Sequence, residues 1–140
     1  MMRRDCIFCR IIAGDQHGAY VLENERVVAF LDINQMSPGH TLIVPRTHVP
    51  YWWELPDEDS VAVASAAKPL MLALRELFQP PGMLLEQRNG RAAGQEVFHL
   101  HVHLIPIGGG RGSSRADRAT LDQRANQIRQ AVERITGTIA

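Results

Sequence analysis

Hydrophobic and polar positions follow different periods along this chain, and each period predicts an element. Residues 6–12 are compact and apolar and stop at Gly14-Asp15, which reads as a short helix or turn. Residues 20–23 and 26–33 are β-rich runs separated by Asn24-Glu25, as in a hairpin. Pro38-Gly39 signals a turn, after which residues 40–45 resume as a strand that a proline closes.

From Pro56 the period lengthens. Pro56 suits the first position of a helix, and Asp57, Glu58 and Asp59 suit the positive end of its dipole. Val63, Ala67, Leu70, Leu74 and Leu77 then step by four and three, a stripe expected to pack on a sheet. Pro69 lies inside the stripe and removes a backbone donor at a cost of roughly 3 kcal/mol, so the helix is either kinked there or made of two pieces.

Residues 82–87 form another strand, 89–94 a polar glycine-bearing loop, and 97–107 a longer apolar strand with histidine at alternate positions. A flexible glycine-serine joint over 108–114 leads to a second amphipathic helix, in which Leu121, Ala125, Ile128, Val132 and Ile135 repeat the four-three step. Short connections in this order suit antiparallel pairing. The expected fold is α+β: an antiparallel sheet of about five strands carrying a long central helix and a C-terminal helix on one face. No internal repeat is visible, and 140 residues with 45% hydrophobic content predict one domain over 1–140, with its core over 5–107 and its C-terminal helix over 115–136.

Fifteen basic and 15 acidic side chains cancel, which argues against a polyanion-binding surface, so no nucleic acid partner is expected and any bound anion needs a local site. No apolar run has the length of a membrane span, and residues 1–6 do not lead into a signal-peptide core. A soluble cytoplasmic protein without a membrane partner is the expectation. The only cysteines are Cys6 and Cys9, and a disulfide between them would close a loop too small to constrain the unfolded chain. Such a pair reads instead as half of a metal site or as a redox pair.

His99, His101 and His103 alternate with Leu100, Val102 and Leu104, so an extended backbone lines the imidazoles on one face and the apolar residues on the other. One side packs and the other can react. Alternate residues of a strand stand nearly 7 Å apart, so the three imidazoles cannot converge tetrahedrally on one zinc. A neutral imidazole is a competent nucleophile toward phosphorus and can leave again, which divides one hard displacement into two easier ones.

Residues 99–105 resemble the His-φ-His-φ-His-φ-φ motif of the histidine-triad superfamily, and the similarity extends from Cys6-Ile7-Phe8-Cys9 through Asp32, Gly39-His40 and Gly94-Gln95. The branch most resembled holds bacterial nucleotide-binding, phosphoramidase and dinucleoside polyphosphate hydrolase relatives. This resemblance implies a half-barrel of antiparallel strands with helices and an enzyme acting at the α-phosphate of AMP or GMP derivatives. His101 matches the nucleophile that becomes nucleotidylated, His103 the phosphate-contacting histidine, His40 a supporting histidine, and Gln95 a residue near the leaving group. Asp32 matches the ribose-holding position. Ile7, Phe8, Ile11, Phe30, Ile33 and Leu42 match the pocket for base and sugar, and Arg88, Asn89, Gly94, Glu96 and Val97 the loop around the phosphate.

Relatives that keep the cysteine pair imply a structural zinc held by Cys6, Cys9, His48 and His99, which would also fix His99 so that His101 is aimed. Magnesium can accompany a polyphosphate substrate, although no acidic cluster demands it. Relatives of this branch are usually homodimers. The chain departs from the pattern at Arg88, where asparagine or another small polar residue is frequent, at Glu96, where serine or threonine is, and at Ile107, where arginine is. His17 has no assigned role, and adjacent Trp52 and Trp53 cannot easily face the same way. Two other readings stay open: a nucleotide-binding module with little turnover, and a zinc hydrolase using metal-activated water.

Overall fold

The computed structural model describes residues 3–108 and 114–137. Helix α1 (Ile7–Ala13) is followed by strands β1 (Tyr20–Glu23), β2 (Val27–Leu31), β3 (Asn34–Gln35) and β4 (Thr41–Pro45). Then come helix α2 (Asp57–Phe78), strands β5 (Gly82–Gln87), β6 (Val102–Ile107) and β7 (Ser114–Arg115), and helix α3 (Arg118–Thr136). Strands β1, β2, β4, β6 and β5 form one sheet in that order, and every pairing is antiparallel. This is the α+β architecture that the short connections imply.

Both faces of the sheet are covered. Val27, Ala29 and Leu31 of β2, Ile43 of β4 and Val102 and Leu104 of β6 share one core with α2 and α3. Val28 and Phe30 of β2 and Leu42 and Val44 of β4 share a second core with Cys6, Phe8, Cys9 and Ile11 around α1. The expectation of helices on one face therefore holds for the two long helices and fails for α1. All five residues of β2 and all five of β4 are buried, and a strand that is apolar at successive positions needs cover on both sides.

Helix α2 is continuous, with Pro69 inside it. Buried Val63, Ala66, Leu70, Ala73 and Leu74 anchor it before and after the proline, and Ala67 and Leu77 sit at the edge of that stripe. Pro56 is the N-cap and not the first helical residue. In α3, Leu121, Ala125, Ile128 and Val132 are buried as the spacing predicts, but Ile135 near the end of the helix is exposed.

The strand expected over 97–107 begins only at Val102. Before it the backbone leaves the sheet, because the Leu100 amide donates to the Val49 carbonyl at 2.8 Å and so ties this stretch to the segment after β4. Residues 109–113 of the expected flexible joint lie outside the described residues. Ser114 is no part of a joint, since it pairs with Gln35 in the short β3–β7 ribbon. Among the described residues no helix is long and apolar enough to cross a membrane.

Candidate active site and metal centre

The sheet face under α1 carries the candidate site residues. Phe30 is opposite Leu42, Leu42 is opposite His103, and His103 is opposite Glu86, so one row crosses the sheet from apolar to ionisable. His40 enters this face from the turn before β4. Gly39 makes that turn at φ +99°, and a Cβ there would come within 2.9 Å of Leu74 and Phe78, so glycine lets the turn press onto α2.

A cavity of about 460 Å³ opens on this face. It brings together Ile7, Phe8, Ile11, Phe30, Ile33 and Leu42 with Asp32, His40, His101, His103, Arg88, Gly94, Gln95, Glu96 and Val97. Asn89 lies off the lining. Its side chain is engaged with Gln87 at 2.7 and 2.9 Å and with the Trp52 amide at 2.8 Å, so it holds the loop to the segment after β4. Gln95 is buried and its amide group is fully engaged: Oε1 accepts from the Gly90 amide at 2.7 Å, and Nε2 donates to the Pro50 and Val97 carbonyls at 2.8 and 3.0 Å.

The tautomer of His101 follows from its partner. His101 Nδ1 lies 2.8 Å from the His99 carbonyl, which can only accept, so Nδ1 carries the hydrogen and Nε2 of the neutral ring holds a free lone pair. His40 Nδ1 lies 3.1 Å from the Asn34 carbonyl, and its Nε2 lies 2.9 Å from Nδ1 of His103. Asp32 Oδ2 stands 3.6 Å from the same Nε2. Phe8 meets the His101 ring edge-on at a centroid distance of 4.9 Å and fixes its tilt. Burial pushes His101, His103 and His40 below the ordinary imidazole value, although the backbone hydrogen bond at His101 and the Asp32 charge near His40 oppose it. The Arg88 charge pushes His101 and His103 in the same direction as burial.

Cys6, Cys9, His48 and His99 form a second constellation beside the first. Their ligand atoms all lie within 4.8 Å of one another. His99 Nδ1 is 3.5 Å from Cys6 Sγ and 3.6 Å from Cys9 Sγ, Cys9 Sγ is 3.3 Å from His48 Nδ1, and the two Nδ1 atoms are 3.1 Å apart. Bonds of about 2.3 Å to sulfur and 2.0–2.1 Å to nitrogen give a tetrahedron with S···N edges near 3.5 Å and an N···N edge near 3.3 Å. The donors thus already stand at the spacing of a Cys₂His₂ metal site. His99 Nε2 donates to the Pro45 carbonyl at 2.8 Å, which leaves Nδ1 as the ligand atom. Burial holds the free His99 imidazole down to about 4 and pushes the Cys6 thiol up.

His17, Asn34, Met36 and Leu121 also line the cavity. His17 hydrogen-bonds Asp122 at 2.8 Å and so ties the loop after α1 to α3. No local pattern marks such a pairing, because its partners lie far apart in sequence. Trp52 packs on the core, while Trp53 is 71% exposed and stacks on Tyr51.

The model of the HIT domain matches residues 13–109. The chain belongs to the HIT family. The HIT protein "Protein hit" of Bacillus subtilis is 47% identical over 102 residues, 73% of this chain and 70% of its own. The adenosine 5'-monophosphoramidase hnt1 of Schizosaccharomyces pombe is 38% identical over 101 residues, 72% of this chain and 73% of its own. A zinc-bound histidine triad family protein from Mycobacterium smegmatis superposes with a TM-score of 0.84 at 30% identity, covering 95% of this chain and 96% of that one.

Proposed function

We propose that this HIT protein is a nucleotide hydrolase or transferase acting at the α-phosphate of nucleoside phosphoramidates or dinucleoside polyphosphates. The observation that carries this reading is the 2.8 Å contact from His101 Nδ1 to the His99 carbonyl, which leaves Nε2 unprotonated beside the cavity. Nε2 forms a bond to the α-phosphorus while the bond to the leaving group breaks with its electron pair, an amine leaving with a proton taken from water. Water then attacks the nucleotidyl-histidine, the P–N bond breaks, and a nucleoside monophosphate is released. The phosphoramidase named among the relatives supports the substrate class.

Each neighbour has a part in that step. Asp32 would hold the ribose hydroxyls, with the base among Ile7, Phe8, Ile11, Phe30, Ile33 and Leu42. His103, held by His40, would steady the phosphoryl oxygens, and Gln95 would act mainly through the backbone of the loop it braces. Cys6, Cys9, His48 and His99 would hold zinc. Four protein donors fill a tetrahedron and leave no position for a reacting water, so the metal would anchor α1 to the catalytic segment, and His101 is the group left to attack. Strand β5 is a sheet edge with Leu84 41% and Leu85 49% exposed, which supports a homodimer formed there.

The test is incubation with an α-labelled adenosine 5'-phosphoramidate followed by quenching and protein separation. Label retained on the protein and a loss on the order of 10⁴-fold or more in His101→Ala support the reading. Activity that survives in His101→Ala refutes it, and nucleotide binding without turnover would make the chain a binding module.

A further inference from the structure

The guanidinium at the cavity mouth has no part in that mechanism. Arg88 follows β5 directly, two positions beyond Glu86, which pairs with His103. It is the sole arginine or lysine lining the cavity among the described residues. Nε and Nη2 both reach Glu86 Oε1 at 2.6 Å, and Nη1 donates to the Gly94 carbonyl at 3.3 Å. Gly94 has φ +93°, and a Cβ there would come within 2.9 Å of Nη1, so this glycine makes room for the guanidinium.

Nε and Nη1 each donate one hydrogen bond there, and Nη2 stands at ion-pair distance from Glu86. One N–H on each terminal nitrogen has no protein partner among the described residues. The two terminal nitrogens are thereby available to grip two oxygens of a tetrahedral oxyanion. The side chain is 45% exposed, so a ligand can reach it. Glu96 shares the cavity mouth, but its exposed carboxylate is screened by water.

We propose that Arg88 determines leaving-group specificity, favouring a group that departs as an oxyanion, a sulfate or a phosphate chain, over one that departs as an amine. This rests on the reading of His101 as nucleophile. As Nε2 bonds to the α-phosphorus, the bond from phosphorus to the bridging oxygen breaks, and that oxygen takes the electron pair. A sulfate or phosphate leaves in this way without needing a proton, and the Arg88 fork meets the growing charge. A departing amine needs a proton on its nitrogen. A guanidinium, always charged, does not supply one, and it repels an ammonium.

The test compares kcat/KM for adenylyl sulfate and for adenosine 5'-phosphoramidate in the full chain. Arg88→Asn is expected to lower the value for adenylyl sulfate about 30-fold to 100-fold and that for the phosphoramidate by less than about 3-fold. Arg88→Lys should recover part of the loss, since it restores the charge without the fork. Glu86→Gln, which frees the fork, should raise turnover of adenylyl sulfate. Equal losses on both substrates, or no loss on either, overturn the proposal while leaving the His101 mechanism standing. Wild-type protein that turns over neither substrate, or His101→Ala that turns over both, removes that mechanism and this proposal together.

Discussion

Nε2 of His40 lies 2.9 Å from Nδ1 of His103, and only one of those nitrogens owns the hydrogen between them. His40 Nδ1 faces the Asn34 carbonyl at 3.1 Å and accepts from the Met36 amide at 3.3 Å, and the contact through Nε2 ties the His103 ring to it whichever nitrogen donates. His103 therefore presents its other nitrogen to the cavity in an orientation set by a residue of another strand's turn. His40→Ala is expected to lower kcat/KM for adenosine 5'-phosphoramidate about 10²-fold by loosening His103, with nucleotide binding less affected. Steady-state kinetics beside nucleotide titration check this, and an unchanged kcat/KM would mean that His103 needs no such support.

The same burial sets a pH dependence of stability. His40 is 2% exposed, and burial lowers its pKa from 6.5 more than the neighbouring Asp32 raises it. The folded chain then binds fewer protons than the unfolded one as pH falls below 6.5, so the stability from the neutral ring is complete above that value and declines below it. The Tm should fall between about pH 7 and about pH 5. In His40→Asn the fall should be smaller, because one titrating group is gone. Calorimetry across that range decides it, and an identical slope in the two proteins would count against the assignment.

Much of this was legible in the sequence, and the exceptions have physical causes. The helix period located α2 and α3, which bury residues at the spacing of their own backbone, while β2 and β4 were marked by unbroken apolar runs. The alternation of His99, His101 and His103 marked the stretch that carries the imidazoles, but the strand starts only at Val102, and His99 joins the cysteines while His101 and His103 line the cavity. Tertiary bonds escaped. The Leu100 amide leaves the sheet for Val49, Asn89 turns from the cavity toward Trp52, and His17 reaches Asp122, each through a partner that local spacing does not encode. The second core under α1 was missed for a similar reason. Successive apolar residues in β2 and β4 declare burial but not which helix provides it.

The four donors, all within 4.8 Å of one another and in four of their pairs at 3.1–3.6 Å, predict a metal-dependent fold with metal-independent chemistry. Cys9→Ser should bind well under one equivalent of zinc and lower the Tm by at least ~10 °C, since loss of a structural site is loss of folding free energy. Below its own melting temperature it should still form the His101 adduct. Metal analysis, thermal melts and labelling on the same sample test this. Chemistry lost at once on chelation, with the fold intact, would instead point to a catalytic metal.

A buried carboxylate contacts the residue that precedes His48. Asp59, 3% exposed in the first turn of α2, accepts from Arg26 Nη1 and from Thr47 Oγ1, each at 2.9 Å. Spacing alone casts Asp59 as one of three acidic residues favouring the helix dipole. The geometry gives it a second task, because it joins the start of β2, the start of α2 and the residue next to His48. Asp59→Ala strips both donors of their acceptor and is expected to lower the Tm by roughly 4–10 °C. None of the three residues lines the cavity, so kcat/KM at low temperature should stay within about twofold of wild type. Release of zinc to a chelator should quicken, because Thr47 no longer fixes the backbone that delivers His48. Asp59→Asn keeps an acceptor for Thr47 and should recover much of the slow release. If both variants release metal at the wild-type rate, the carboxylate supports the helix alone and the link to His48 is wrong.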